Sequence, residues 1–196
     1  MTRSAALQEE TSPTGVTGTE VLVEWLARCV RNGNTQVTAP LRRSGRGRPP
    51  QSVPGMPGDV PPEIAIRVAR MFVRYHQAGD FRFSLRLTGY GDIGQALRRL
   101  SRADPPGRPW EEAAERAMRS LLIPRRRLPW RELEHALDTM NRARLIPPSW
   151  TLLIDDLTEW HMRGDAQPRT PRERWAWSFF NVPTACSTGR GRTSAE

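Results

Sequence analysis

Apolar residues recur every three to four positions over most of the chain, a spacing that is typical of helices with one buried face. Between residues 18 and 31, for example, Leu22, Leu26 and Cys29 share one face of a predicted helix. The same pattern predicts further helices over residues 61–78, 109–122, 129–144, 148–161 and 171–181. Proline suits the first turn of the helix at 61–78, because the N–H that it lacks would have no partner there.

Three segments interrupt this helical pattern. Residues 40–62 contain many prolines and glycines and few apolar side chains, which predicts a long loop. Residues 81–87 alternate apolar and polar side chains, the pattern of a short strand. Asp92 then stands as the predicted N-cap of a short helix with one apolar face. The third interruption is at residues 105–107, and we place the boundary between two halves of the protein there.

These elements predict an all-α protein, a helical bundle in two halves, with an irregular N-terminal half and a C-terminal four-helix bundle. The predicted divisions are a disordered N-terminus at 1–18, an N-terminal helical half at 19–105 with a long loop at 40–62, a C-terminal helical bundle at 106–182 and a flexible tail at 183–196. With 196 residues, the chain is long enough to bury a core without disulfides or metal ions.

The aromatic residues of the C-terminal half separate into a buried and an exposed set. Three tryptophans fall on apolar stripes, which favours core packing over stacking on nucleic-acid bases: Trp150, Trp160 and Trp175. Phe179 and Phe180 are predicted to be buried with them. Trp177 lies off the buried face of its helix, and we expect it to form a subunit contact.

The charge of the chain points to an anionic partner. It carries 30 basic and 21 acidic residues, for a formal net charge of +9, and every basic residue is arginine. An excess of this size attracts polyanions and provides phosphate affinity that does not depend on sequence. No carboxylate interrupts residues 28–48 or 116–131, and a third arginine group is Arg98, Arg99 and Arg102. Because a helix surface that only faces solvent usually mixes both signs, these clusters favour nucleic-acid binding.

Residues 89–94 match the spacing G-x-G-x-x-G of dinucleotide-binding proteins, after an apparent strand and before a helix. A second strand that ends in an acidic residue about 20 positions later is missing. The preceding strand also alternates, whereas a parallel central strand would be almost continuously apolar. We therefore interpret the glycines as a flexible turn into a helix, whose N-terminus could still contact a backbone phosphate.

Asp155, Asp156 and Glu159 resemble the carboxylate set of a metal-dependent nuclease. Asp155 and Glu159 face the same way on a helix, but Asp156 points elsewhere and no second acidic cluster completes a two-metal site. An exposed acidic helix face that pairs with an arginine of a neighbouring helix is the favoured interpretation. Cys29 and Cys186 are too few for a zinc site or a disulfide framework. The sequence therefore predicts no catalytic residue, no metal and no cofactor.

The sequence also bears on membranes. It contains no run of 18 apolar residues, and its polar N-terminus lacks the apolar stretch of a signal peptide. An anionic membrane surface competes with nucleic acid as a partner for a basic protein, but no basic amphipathic anchor or lipidation signal is visible. We predict a cytoplasmic protein without a membrane partner.

Four segments, taken in order, carry a resemblance to a known family. They are Leu41-Arg42-Arg43-Ser44-Gly45, IGQALRRL at 93–100, a stretch from Arg119 through Leu133 and Leu137 to IPPSWTLLIDDLTEW at 146–160, and RERWAWSFF at 172–180. Each segment is mostly a helix stripe with arginines, so the order and spacing are more specific than any one of them. Over residues 20–180 the chain resembles the CasB family, the small subunit of type I-E CRISPR Cascade surveillance complexes.

The resemblance implies an all-helical fold without catalytic residues. It also implies a small-subunit dimer along the belly of the complex, in contact with other Cascade subunits, the crRNA–target duplex and the displaced DNA strand. Arg42, Arg43, Arg98 and Arg99 fall in the matching segments. Charge clustering alone adds Arg46, Arg48, Arg102, Arg125, Arg126 and Arg127. Their expected role is to neutralise phosphates, which positions a strand without reading its sequence and can stabilise an R-loop.

Three other functions remain open from the sequence. A helix-turn-helix regulator of DNA would need a recognition helix with exposed polar residues after a tight turn, and no helix fits clearly. A metal-dependent nuclease would lose its activity with Asp155. A structural adaptor without nucleic acid would be unaffected by neutralisation of the arginine clusters.

Overall fold

The computed structural model describes residues 17–43, 60–77, 87–103, 108–124, 127–163 and 170–181. Eight α-helices and no strand lie within these ranges, which confirms the predicted all-α fold. They are α1 (Gly18–Arg31), α2 (Thr35–Arg43), α3 (Pro62–Gln77), α4 (Ile93–Ser101), α5 (Arg108–Leu122), α6 (Trp130–Arg142), α7 (Trp150–Arg163) and α8 (Pro171–Phe180). None of these helices is long and apolar enough to cross a membrane.

Side chains cap the first turns of α1, α4 and α8. The carboxylate of Asp92 accepts a hydrogen bond of 2.8 Å from the backbone N–H three residues later, which confirms the predicted cap of α4. Thr17 and Glu20 form a reciprocal capping box at α1, and Thr170 and Glu173 form another at α8. Because each cap gives a partner to N–H groups that the helix leaves unbonded, these helices begin at defined residues.

One hydrophobic core runs through both predicted halves of the chain. Helix α4 precedes the break near residue 105, yet it packs mainly against α5 and α8, which follow the break. Helix α7 packs in turn against α1 and α3. The core predicted for three tryptophans is confirmed, since all of them are buried: Trp150, Trp160 and Trp175. The two halves therefore share their hydrophobic interior.

Helix α8 has one buried and one exposed aromatic face. Trp175 and Phe179 are buried, as predicted. The prediction that Phe180 is buried is wrong, because this side chain is 59% exposed. Successive residues of a helix point about 100° apart, so Phe180 cannot share the face of Phe179. Trp177 is 70% exposed and lies three residues from Phe180.

The start of the loop predicted at 40–62 is wrong, because α2 includes Pro40 and continues to residue 43. Proline removes one hydrogen bond inside a helix, and this loss made a loop the natural prediction. Burial of Thr38 and Leu41 offsets the loss, since α2 packs against α3. The remainder of the predicted loop at 44–59 lies outside the described residues.

Other predictions also fall outside the described part of the chain. The strand pattern at 81–87 lies outside it except for Leu87, which is in a turn. The flexible tail predicted at 183–196 lies wholly outside it. The disordered N-terminus predicted at 1–18 lies outside it up to residue 16, and Gly18 is already the first residue of α1.

The glycine-rich segment at 89–94 is a turn into α4, as the sequence predicts. Gly89 and Gly91 have φ values of 72° and 70°, which glycine adopts at no steric cost. A side chain on Gly94 would collide with the backbone carbonyl of Trp175 on α8. The spacing of these glycines therefore follows from backbone geometry and close helix packing.

Candidate nucleic-acid interface

Arginines from two helices line a groove bounded by α2, α3 and α6, with a cavity volume of about 270 Å³. Arg42, in the last turn of α2, is exposed, while Leu41 beside it is buried. Arg70 and Arg74 project into the same groove from α3. Two acidic side chains of α6 complete the polar lining: Glu134 and Asp138. We call this the α3–α6 groove.

One arginine of the α3–α6 groove has an acidic partner. Arg74 and Asp138 form an ion pair of 2.5 Å between α3 and α6, and their side chains are 57% and 36% exposed. An ion pair this exposed contributes at most about 1 kcal/mol. Arg74 can therefore exchange Asp138 for a phosphate at little cost. Arg67 continues the basic edge along α3, with its guanidinium 5.0 Å from the ring centre of Trp130.

A larger groove, of about 900 Å³, lies between α5 and α6. Three exposed arginines line it, Arg116 from α5 and Arg131 and Arg142 from α6. The indole of Trp110 also lines it. Small side chains of α5 leave the space open: Ala113, Ala117 and Ser120. We call this the α5–α6 groove.

The residues of the α5–α6 groove are not among the site residues predicted from the sequence. Periodicity shows which side of a helix is buried, but not which two helices are neighbours. One signal was nevertheless present in the charge pattern. The carboxylate-free stretch at 116–131 begins and ends at Arg116 and Arg131, the two arginines that the fold brings to this groove.

The arginine group on α4 divides into exposed and half-buried members. Arg102 is exposed at the C-cap of α4. Arg98 is half-buried, and its Nη1 donates a hydrogen bond of 2.9 Å to the backbone carbonyl of Asn181, just after α8. This bond joins α4 to the residue that follows α8.

Arg99 binds the protein's own backbone. Its Nη2 donates to the carbonyl oxygens of Tyr90 at 3.1 Å, Ile146 at 3.3 Å and Pro147 at 3.2 Å. The guanidinium lies 4.0 Å from the ring centre of Tyr90, close enough for a cation–π contact. Burial lowers the pKa of Arg99. The sequence places Arg99 with Arg98 on a polar helix face, but the structure uses its guanidinium to hold the glycine turn.

The remaining predicted site residues are exposed or lie outside the described residues. Arg43 is exposed, and its Nε donates a hydrogen bond of 3.4 Å to the carbonyl of Ala39 one turn earlier. Arg127 is exposed in the connection between α5 and α6. Four predicted arginines lie outside the described part of the chain: Arg46, Arg48, Arg125 and Arg126.

The acidic residues of α7 form a network with α8. Arg174 lies 2.5 Å from one carboxylate oxygen of Asp156 and 2.6 Å from Glu159. The other carboxylate oxygen of Asp156 accepts a hydrogen bond of 2.5 Å from the indole of Trp175. Burial raises the pKa of Asp156, although the hydrogen bonds from Arg174 and Trp175 oppose this rise. The predicted pairing of this acidic face with an arginine of a neighbouring helix is confirmed, but the prediction that the face is exposed is wrong for Asp156, which is buried.

The positions of Asp156 and Asp155 differ from those that the sequence predicts. Asp156, the carboxylate expected to point away from the others, is buried and shares Arg174 with Glu159. Asp155 instead accepts a hydrogen bond of 3.0 Å from the hydroxyl of Thr19 on α1. Among the described residues, no group of three or more side chains of the metal-binding types comes together.

Comparison with protein families identifies the chain. The family model of the CRISPR-associated protein Cse2 matches residues 37–180, from within α2 to the last residue of α8. This range is more than half of the chain and contains both grooves. No curated protein and no solved structure matches the chain significantly. The resemblance inferred from four sequence segments is therefore confirmed, and the chain belongs to the Cse2 (CasB) family of small subunits of type I-E CRISPR Cascade complexes.

Proposed function

We propose that this chain is a non-catalytic subunit that binds nucleic acid within Cascade and stabilises the R-loop. Its exposed arginines bind phosphates of the crRNA–target duplex and of the displaced DNA strand. It acts in the cytoplasm, as a dimer and in contact with other Cascade subunits. Membership of the Cse2 family supports the place in the complex, and the net charge of +9 supports the affinity for phosphates.

The convergence of arginines from α2 and α3 in the α3–α6 groove carries this proposal. Arg42 was selected from the sequence alone, and the fold brings it to one groove with Arg70 and Arg74. The charged side chains that line this groove are three arginines and two carboxylates, so its lining is net positive and attracts an anionic ligand. Each guanidinium can also donate two parallel hydrogen bonds to one phosphate. The acidic side chains on the α6 side moderate this attraction without removing it.

The other arginines predicted from the sequence add further contacts with phosphates. Arg43 and Arg127 are exposed, Arg102 is exposed at the end of α4, and Arg98 lies next to it. We include Arg46, Arg48, Arg125 and Arg126 because they continue the clusters that contain Arg43 and Arg127. Arg99 stands apart from this set, since its guanidinium binds three backbone carbonyls of the same chain.

Modest contacts are sufficient for the proposed role. An R-loop replaces one duplex by another of nearly equal stability, so backbone contacts can decide whether it persists. A change of about 1.4 kcal/mol in those contacts shifts the equilibrium tenfold. Phosphate contacts also carry no sequence information, which suits a subunit that must accept every guide and target.

The test is the lifetime of an R-loop on Cascade assembled with an Arg42→Ala/Arg70→Ala subunit. We expect the displaced strand to reanneal about tenfold faster than with the wild-type subunit. Arg28→Ala/Arg31→Ala removes the same charge from exposed positions on α1 that line neither groove, and it should have a smaller effect. Circular dichroism and recovery of the intact complex verify folding. Equal lifetimes for the groove variant and the wild type would contradict the proposal.

A further inference from the structure

The α5–α6 groove combines charge, space and an aromatic ring. Three exposed arginines line it against one carboxylate, that of Glu132. Two of the arginines are held by hydrogen bonds to their own helices. Arg142 donates from Nη2 to the hydroxyl of Thr139 at 3.2 Å, and Arg116 donates from Nε to the carbonyl of Glu112 at 3.3 Å. Both guanidinium groups therefore reach the solvent from fixed starting positions, which lowers the entropy lost when they bind a ligand.

Trp110 supplies a flat apolar surface in the same groove. Its side chain is half-buried, because part of it packs against the hydrophobic core while part lines the groove. Packing against the core holds the ring in place. An aromatic ring fixed among arginines is the arrangement on which unpaired nucleic-acid bases stack while their phosphates bind the cations. An acidic peptide would use the arginines but would gain little from the indole.

The width of the groove restricts the ligand further. Helices α5 and α6 pack directly, with axes roughly 8–10 Å apart, so a duplex could lie across the groove above them but could not enter it. Inside a duplex, the faces of the bases are also covered by their neighbours and cannot stack on a protein side chain. A single strand meets both conditions, since it is narrow and its bases can turn outward.

We propose that the α5–α6 groove binds single-stranded nucleic acid, with an unpaired base stacked on Trp110 and phosphates bound by Arg116, Arg131 and Arg142. The proposal rests on the function proposed above. It adds a second groove, whose four ligand-binding residues are not among those predicted from the sequence, and it assigns a different ligand to each groove. The α5–α6 groove binds an unpaired strand, whereas the α3–α6 groove binds the phosphate backbone of single-stranded and base-paired nucleic acid alike.

The test compares how protein variants bind two probes, one with bases and one without. The full-length protein is titrated at low salt against a labelled oligo(dT) of about 16 nucleotides. A second probe of the same length carries the same sugars and phosphates with abasic sites in place of the bases. The variants are Trp110→Ala, Trp110→Phe and Arg116→Ala/Arg131→Ala, with Arg28→Ala/Arg31→Ala on α1 as the charge-matched control.

We expect Trp110→Ala to weaken binding of oligo(dT) at least about fivefold and to leave binding of the abasic probe unchanged. Trp110→Phe retains an aromatic ring and should retain most of the affinity. Arg116→Ala/Arg131→Ala should weaken binding of both probes and reduce the slope of log K against log salt by about 1.4. Thermal unfolding of each variant shows whether it is folded, and Arg116→Ala/Arg131→Ala keeps the test valid if Trp110→Ala does not fold.

Several results would overturn the proposal. One is a wild-type protein that does not bind oligo(dT) at low salt, and another is an equal loss for Trp110→Ala with both probes. A loss for the Arg116/Arg131 pair that is no larger than that of the control would also overturn it. The R-loop experiment with Arg42 and Arg70 is independent of these measurements, so either proposal can fail while the other stands.

Discussion

The indole Nε1 of Trp150 donates a hydrogen bond of 3.3 Å to Nε2 of His76 inside the core, and this bond joins α7 to α3. Nε2 can accept it only while the imidazole is neutral. Both side chains are almost fully buried, and the rings of Phe72 and Tyr75 lie against His76. A histidine that the sequence left as one of three scattered residues is therefore part of the aromatic core.

The stability of the protein should depend on pH through His76. Burial lowers the pKa of His76 from 6.5 to about 4. In the unfolded chain the imidazole regains its ordinary pKa, so between pH 6.5 and 4 the unfolded state binds the proton more readily. The free energy of unfolding should therefore be highest above pH 6.5 and should fall by about 3 kcal/mol as the pH drops to 4. Urea unfolding across this range measures the change.

The matched variants for this effect are His76→Gln and His161→Gln. His76→Gln removes the buried titrating group and should flatten the pH dependence of stability between 6.5 and 4. His161 is exposed at the end of α7, so His161→Gln should follow the wild-type curve. If the two variants and the wild type have the same pH dependence, His76 does not cause it.

Asp156 should be the most costly carboxylate of α7 to remove. Asp156→Ala takes from Arg174 one of its two acidic partners and leaves the indole of Trp175 without its acceptor. Arg174 is 37% exposed and keeps Glu159, so the main loss is the buried indole N–H left without an acceptor, at a cost of about 2 kcal/mol. Asp155→Ala loses a part-buried hydrogen bond with Thr19 and should cost about 1 kcal/mol. Denaturant unfolding of both variants measures the difference, and similar losses would contradict it.

Gly94 should resist substitution because of its contact with α8. The methyl group of Gly94→Ala would meet the backbone carbonyl of Trp175, which no side-chain rotation can move aside. Overpacking of this kind costs about 2 kcal/mol or more and should separate α4 from α8. Gly33→Ala is the control, with a φ of 64° but no neighbour within 4 Å, and strain should cost it about 1 kcal/mol. Thermal unfolding and the near-ultraviolet signal of the tryptophans report both effects.

The helices could be predicted because their causes are local. The apolar stripe of α1 and the capping carboxylate of Asp92 both act within a few residues, so the sequence pattern contains them. The end of α2 could not be predicted in the same way. Its continuation through Pro40 depends on the burial of Leu41 beside α3, and α3 begins some twenty positions further along the chain.

The candidate site also depends on contacts between distant parts of the chain, which the sequence pattern does not contain. Arg98 and Arg99 are adjacent in one cluster, and charge patterning treats them alike. What separates them is the segment at 146–147, whose carbonyl groups reach Arg99 but are 47 residues away in the sequence. The α5–α6 groove likewise exists only because α5 and α6 pack side by side. The sequence therefore predicted that arginines matter, while the fold decides which of them face a ligand.

Arg99 and Arg98 should consequently differ in their effects when replaced. Arg99→Ala removes three hydrogen bonds to backbone carbonyl groups, two of them part-buried, and loosens the glycine turn, at a cost of about 2 kcal/mol in unfolding free energy. Arg98→Ala loses one hydrogen bond near the surface and should cost about 1 kcal/mol or less. Denaturant unfolding gives the stability, and the R-loop lifetime on assembled Cascade gives the function. A stable Arg99→Ala protein would contradict the structural role of this residue.

The exposed face of α8 should be needed for assembly and not for folding. Trp177 and Phe180 lie three residues apart, on one side of the helix, and both are more than half exposed. Large aromatic side chains in such positions mark contacts between proteins, and they often carry much of the binding energy. Phe180 also packs edge-on against the buried ring of Phe179, so Trp177→Ser/Phe180→Ser should lower the unfolding free energy by only about 1 kcal/mol.

The same variant should enter Cascade less completely when it competes with a tagged wild-type subunit, because it would lack the aromatic contact that we expect with a neighbouring subunit. Met162→Ser is the control, since Met162 is even more exposed but belongs to α7 and not to α8. Native mass spectrometry of the purified complexes counts the copies of each subunit. Equal incorporation of the α8 variant and the control would show that this face of α8 meets solvent in the complex, and the contact would then have to lie elsewhere on the chain.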